Sequence, residues 1–115
     1  MSWFDKFIGE PVASISTQEV QAKLTNGDSP FLLDVRQPEE FRMGHIRGAK
    51  LIPLGQLARR IQEVPKGREV VCICATGHRS VPAVRRLQAA GYNASSMRNG
   101  MLAWQMARLP VLKGE

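Results

Sequence analysis

Val70-Val71-Cys72-Ile73-Cys74-Ala75-Thr76-Gly77-His78-Arg79-Ser80-Val81 passes from an unbroken apolar run, through a polar loop, into a helical pattern. Glu69 to Ile73 reads as a strand buried on both faces, because a continuous apolar run suits a parallel sheet better than alternation does. Val81, Val84, Leu87 and Ala90 then recur at helical spacing, with Gly91 placed to end the helix. Pro82 falls in the first turn, where its missing N–H is tolerated. A thiol, Cys74, thus sits at the carboxyl end of a strand, on a short loop feeding a helix N-terminus. Open α/β sheets bind ligands at that place, and the unpaired N–H groups and helix dipole there favour an anion. A cysteine so placed is expected to ionise below the free value of about 8.5.

Upstream of this stretch, Val12 to Ile15 suggests a short first strand, and Ser16-Thr17-Gln18-Glu19 a capping box that opens a helix through Leu24. Phe31-Leu32-Leu33-Asp34-Val35 is a second buried strand. Pro38-Glu39-Glu40-Phe41 starts a short helix closed by Gly44, with acids in its first turn. Ala49 to Ile52 suggests a third strand, and Leu54, Leu57, Ala58 and Ile61 a helix stopped by Pro65-Lys66-Gly67. Downstream, Asn93 to Met97 is a weak fifth strand, and Met101 to Met106 a last helix after Asn99-Gly100. Strands alternating with helices call for a parallel sheet covered on both faces.

The chain has 115 residues, enough for one domain with a single core, and its 43% hydrophobic content is ordinary for a globular protein. No apolar run reaches membrane-spanning length, and no signal-peptide core precedes the domain, so a cytoplasmic protein is expected. Cys72 and Cys74 are the only two cysteines, and a disulfide across one intervening residue would be badly strained. Reduced thiols follow. Residues 1–50 hold six bases and seven acids, whereas residues 51–115 hold ten bases and three acids. The half containing the loop is therefore a positive field that draws in small anions. Nucleic acid is not expected, because aromatics are only 6% and no nucleic-acid motif occurs.

Four pieces of the chain resemble the single-domain rhodanese family. They are Asp34-Val35-Arg36; Glu40-Phe41 with Gly44-His45-Ile46 and Gly48-Ala49; the loop Cys74-x-x-Gly77-x-Arg79-Ser80; and Gly100 with Trp104. The resemblance runs from about Ser16 to Leu109. It implies a three-layer α/β/α rhodanese-like domain with a central five-stranded parallel sheet, and sulfurtransferase activity without metal or organic cofactor. The domain is drawn at residues 13–115, and residues 1–12 form an extension outside the match. Trp3, Phe4, Phe7 and Ile8 would share one face of a helix there. One departure is Asn99, where the family usually has a first glycine; asparagine tolerates positive φ better than most residues.

Sulfur transfer requires a thiolate to attack the outer sulfur of an anionic donor such as thiosulfate, a persulfide on Cys74, and an acceptor. The acceptor is cyanide or a thiol, that of a partner protein included. Ala75, Thr76, Gly77, His78, Arg79 and Ser80 all keep their N–H groups, so a curled loop can aim several of them at the sulfur. Gly77 gives the curl its freedom. Ser80 is placed as a helix N-cap, and Arg79, with His78, complements a dianionic donor. Four residues separate Cys74 from Arg79; related cysteine-dependent phosphatases and arsenate reductases are known by a loop one residue longer, which favours sulfur over phosphate here. Cys72 reads as a small hydrophobe within the strand, and Asp34 and Arg36 as scaffold, with Arg36 placed to pair with Glu40 or its neighbour. A zinc site would have only His45 and His78 to add to the two thiols. His45 reads as a turn residue, Trp104 as core, and Arg85-Arg86 as a solvated face.

Overall fold

A computed structural model describes residues 11–115; the expected helix of Trp3, Phe4, Phe7 and Ile8, and most of the 1–12 extension, lie outside the described residues. Five strands form one parallel sheet: β1 (Ser14–Ile15), β2 (Phe31–Asp34), β3 (Lys50–Leu51), β4 (Glu69–Ile73) and β5 (Asn93–Met97), in the order β1-β5-β4-β2-β3. The helices are α1 (Thr17–Thr25), α2 (Pro38–Met43), α3 (Leu57–Arg60), α4 (Ser80–Ala89) and α5 (Gly100–Met106). β4 lies at the centre of the sheet, between β5 and β2. Its side chains alternate between the two cores.

Val70, Cys72 and Cys74 face one core, with Leu57 of α3 and Ala83, Val84 and Leu87 of α4. Val71 and Ile73 face the other, with Val20 of α1 and Met101 and Trp104 of α5. Helices therefore cover both faces of the sheet, as the unbroken apolar runs of β2 and β4 require. Trp104 is 1% exposed, and its indole N–H donates to the Pro110 carbonyl at 2.9 Å. That bond lets a large aromatic be buried without an orphaned donor.

Local signals fix the element ends. Ser16 Oγ accepts from the Glu19 amide at 3.0 Å, and the Glu19 carboxylate accepts from the Ser16 amide at 3.1 Å, a complete capping box. Gly91, at φ 91°, turns the chain after α4. Three expected elements differ by more than an end residue. The first and third strands are shorter than Val12–Ile15 and Ala49–Ile52. The helix expected from Leu54 to Ile61 is three one-turn pieces: a 3₁₀ turn at Leu54–Gln56, then α3, then a second 3₁₀ turn at Ile61–Glu63. Gln56 and Arg60, at φ −106° and −117°, depart from α-helical geometry at the two joints, so the apolar period survives while the hydrogen-bond ladder does not.

Candidate active site

β4 ends at Ile73, so Cys74 is the first residue beyond the central ladder, and the next turn of chain, Ala75 to Arg79, curls back over it. The Gly77 amide donates to Cys74 Sγ at 3.1 Å, and the Ser80 hydroxyl lies 3.6 Å from the same sulfur. Gly77 holds φ at 94°, and a Cβ there would stand 3.0 Å from the Asn99 amide nitrogen, so only glycine lets the loop close against the β5–α5 turn. That turn forms the loop's floor. The Met101 and Leu102 amides at the start of α5 donate to the Cys74 and Ala75 carbonyls at 2.8 and 2.9 Å. These bonds occupy the two carbonyls, while the Gly77 amide is the one that donates to the sulfur.

Asn99 adopts φ 59° and Gly100 φ 52°, so asparagine does keep the left-handed turn where the family usually has glycine. Gly100 is less replaceable. A Cβ on it would overlap the Cys74 carbonyl oxygen and stand 2.8 Å from the Ala75 carbonyl carbon. Backbone approaches backbone here with no room for a side chain.

The two thiols share a face of β4 and are both 0% exposed. Cys72 lies within the ladder, opposite Leu33 and Ser96, and burial pushes its thiol up to about 12, with the nearby Cys74 adding to the rise. It is a packed, protonated hydrophobe. Cys74 is equally buried, and the Gly77 amide of the loop that follows it donates to its sulfur.

Ser80 is not a cap. Arg79 occupies the cap position without a side-chain cap bond, and Ser80 is the first helical residue. Its buried hydroxyl donates to the Gly77 carbonyl at 3.2 Å and bonds the buried Ser96 hydroxyl at 2.6 Å. Ser80 and Ser96 thus form a polar floor beneath the sulfur. The weak β5 pattern assigned Ser96 no role; the one cue was a small hydroxyl at a strand position otherwise suited to an apolar residue.

The charges also pair differently from expectation. Arg79 is held by both oxygens of Glu40 at 2.7 Å, so its fork is committed to a carboxylate rather than presented to a donor. Hydrogen bonding to Arg79 holds Glu40 down at about 2, against the opposing effect of burial. Arg36 does not take Glu40's side chain. It pairs with buried Asp34 at 2.8 Å and donates to the Gly44 and Glu40 carbonyls at 2.8 and 3.3 Å. A continuous brace therefore runs from the end of β2 through Arg36 to α2, and from Glu40 of α2 to the loop.

His78 and Thr76 are exposed and bond each other, Nδ1 to Oγ1, at 2.9 Å. His45 is the expected turn residue: its Nδ1 bonds the Phe41 carbonyl at 2.8 Å and its ring stacks on Phe41 at 3.7 Å. Arg85 and Arg86 stand exposed on α4. Among the described residues no three His, Cys, Asp or Glu side chains converge as a metal site, and no helix is long and apolar enough to cross a membrane.

The Rhodanese-like domain family model matches residues 16–107, and the chain belongs to that family. It is 32% identical over 105 residues to a sulfurtransferase of Allochromatium vinosum, covering 90% of this chain and 98% of that one. It is also 36% identical over 109 residues to an HTH-type transcriptional regulator of Mycobacterium tuberculosis, covering 93% of this chain but 48% of the relative, so it spans about half of that protein. The crystal structure of a rhodanese-related protein from Thermoplasma volcanium superposes with TM-score 0.82 at 28% identity, covering 87% of this chain and 97% of the other.

Proposed function

We propose that the protein is a sulfurtransferase that carries sulfane sulfur on Cys74. The observation that supports this best is the sulfur at the carboxyl end of β4, with the Gly77 amide at 3.1 Å and the Ser80 hydroxyl beside it. The Cys74 thiolate attacks the outer sulfur of thiosulfate; the S–S bond breaks and its electron pair leaves on sulfite. A Cys74 persulfide anion remains, and the Gly77 amide and loop dipoles are placed to stabilise it. Cyanide or a thiolate then takes the outer sulfur and returns the Cys74 thiolate. Burial of the Cys74 sulfur shields the persulfide from water and oxidant between the two half-reactions. The short cradle suits one sulfur better than a phosphoryl group, which ranks phosphatase or arsenate chemistry below sulfur transfer. Two reduced thiols and no required metal or organic cofactor suit a cytoplasmic setting.

Thiosulfate and cyanide should yield thiocyanate, with Cys74→Ser inactive and Cys72→Ser largely active. Turnover retained by both variants would overturn the mechanism.

A second reading, delivery to a protein acceptor, draws on α5. Leu102 and Met106 are 53% and 76% exposed one helical turn apart, and the Leu102 amide itself holds the loop's Ala75 carbonyl. It predicts slow transfer to cyanide beside fast transfer from persulfide-loaded protein to one protein thiol.

A further inference from the structure

Arg79 was the obvious receptor for an anionic donor, and Glu40 has taken it. A second arginine stands on the other side of the loop. A cleft of ≈ 340 Å³ is bounded by Thr76, Gly77 and His78 on the loop, Ser14 at the sheet edge, and Ser96, Arg98 and Asn99 at the end of β5. Two of these residues are one step from the sulfur: Gly77 donates to Sγ, and Ser96 bonds the Ser80 hydroxyl beneath it. The cleft therefore abuts the groups that surround the Cys74 sulfur.

Arg98 is fixed at this cleft by its backbone and its side chain. Its amide donates to the Ile15 carbonyl at 2.9 Å, and its Nη1 donates to Ser14 Oγ at 2.9 Å. Among the described residues its ion-pair partner is Glu19, 3.7 Å away, and both side chains are more than half exposed. Glu19 is already engaged in the capping box with Ser16. Such a distant, solvated pair leaves the guanidinium's charge largely available, unlike the 2.7 Å fork of Arg79 and Glu40.

Resting on the sulfurtransferase reading, we propose that Arg98 receives the oxyanion of the sulfane donor, a sulfonate or a carboxylate, in the cleft beside Gly77. The outer sulfur then points at the loop and the charged end at Arg98, with the exposed Thr76–His78 pair on the rim. Arg98 is a substrate-binding residue here; the bond-breaking step belongs to Cys74.

The test compares wild type, Arg98→Gln and Arg98→Lys with three donors: thiosulfate, the persulfide of mercaptopropionate, and the persulfide of mercaptoethanol, which lacks an oxyanion. Loss of a charge-assisted hydrogen bond should raise KM for the oxyanion donors about tenfold in Arg98→Gln, with kcat little changed. Arg98→Lys should recover much of that loss, and the mercaptoethanol persulfide should be used equally by all three proteins. A rise confined to thiosulfate assigns the site to an inorganic donor, and one confined to the carboxylate persulfide to an organic donor. Equal losses with all three donors, accompanied by a fall in Tm, would reduce Arg98 to a tie between β1 and β5 and overturn the proposal, as would unchanged kinetics. If wild type gains no sulfur at Cys74 from any donor, the sulfurtransferase reading itself fails and this assignment with it.

Discussion

The body of β4 and the loop that follows it begin from the same chemistry and end in different places. Cys72 and Cys74 lie on one face, two residues apart, and neither has exposed surface. Cys72 still has strand neighbours on both sides, and burial pushes its thiol up to about 12. Cys74 lies one residue past the strand's end, where the backbone leaves the ladder, and there the Gly77 amide donates to its sulfur while the thiol donates to the Ser80 hydroxyl oxygen. The difference is made by what the main chain does with its N–H groups, since burial alone treats the two residues alike.

Gly100 offers the largest break in that contrast. It lets α5 bring its first amides under the Cys74 and Ala75 carbonyls. Gly100→Ala puts a methyl into those carbonyls at φ 52°, so a loss of about 3 kcal/mol of stability is expected in denaturant unfolding. Turnover should fall further than stability does, because the loop must shift to make room. Normal unfolding and normal turnover in Gly100→Ala would show that the close approach is not needed.

The serine floor gives a smaller effect with a sharper signature. Ser80→Ala strands the Ser96 hydroxyl in a buried site, at a cost of about 1–2 kcal/mol, whereas Ser96→Ala leaves Ser80 its bond to the Gly77 carbonyl and should cost less. The double replacement removes both hydroxyls and should cost less than the sum of the single ones. Strict additivity would mean that the two hydroxyls are not coupled.

The brace from α2 titrates. Glu40 is lowered from 4.5 to about 2, so its contribution is fully present above pH 4.5 and is lost as pH falls toward 2. Because Glu40 and Arg79 are each about a third exposed, the contribution is discounted for solvent screening to about 1 kcal/mol. Wild type should lose that increment across this acid window, and Glu40→Gln should lack it at every pH. Parallel stability curves for the two proteins through the window would remove Glu40 from the brace.

Much of the sheet was legible because its evidence is local. The apolar run of β4, the Ser16–Glu19 box and the Asn99-Gly100 turn each declare themselves within a few residues. Cys74 was legible for the same reason, as a thiol between a strand pattern and a helix pattern. Pairings were not. The chain's second half has few acids of its own, and from that imbalance Arg79 read as a free cation. Folding brings Glu40 across from the first half to meet it, a contact separated by 39 residues. Ser80 read as a cap because hydroxyls cap helices, but Ser96 arrives from β5 and draws it inward. Arg98 belonged to no local pattern, and only the pairing of β1 with β5 brings it beside Ser14.

Intact-mass and peptide mass spectrometry after brief exposure to thiosulfate tests the division between the two thiols most directly. One sulfur atom should be added, located on the peptide at Cys74, absent from Cys74→Ser and present in Cys72→Ser. Sulfur on Cys72, or none on either thiol in folded protein, would contradict the claim that the loop after β4 turns one of two equally buried cysteines into a sulfur carrier.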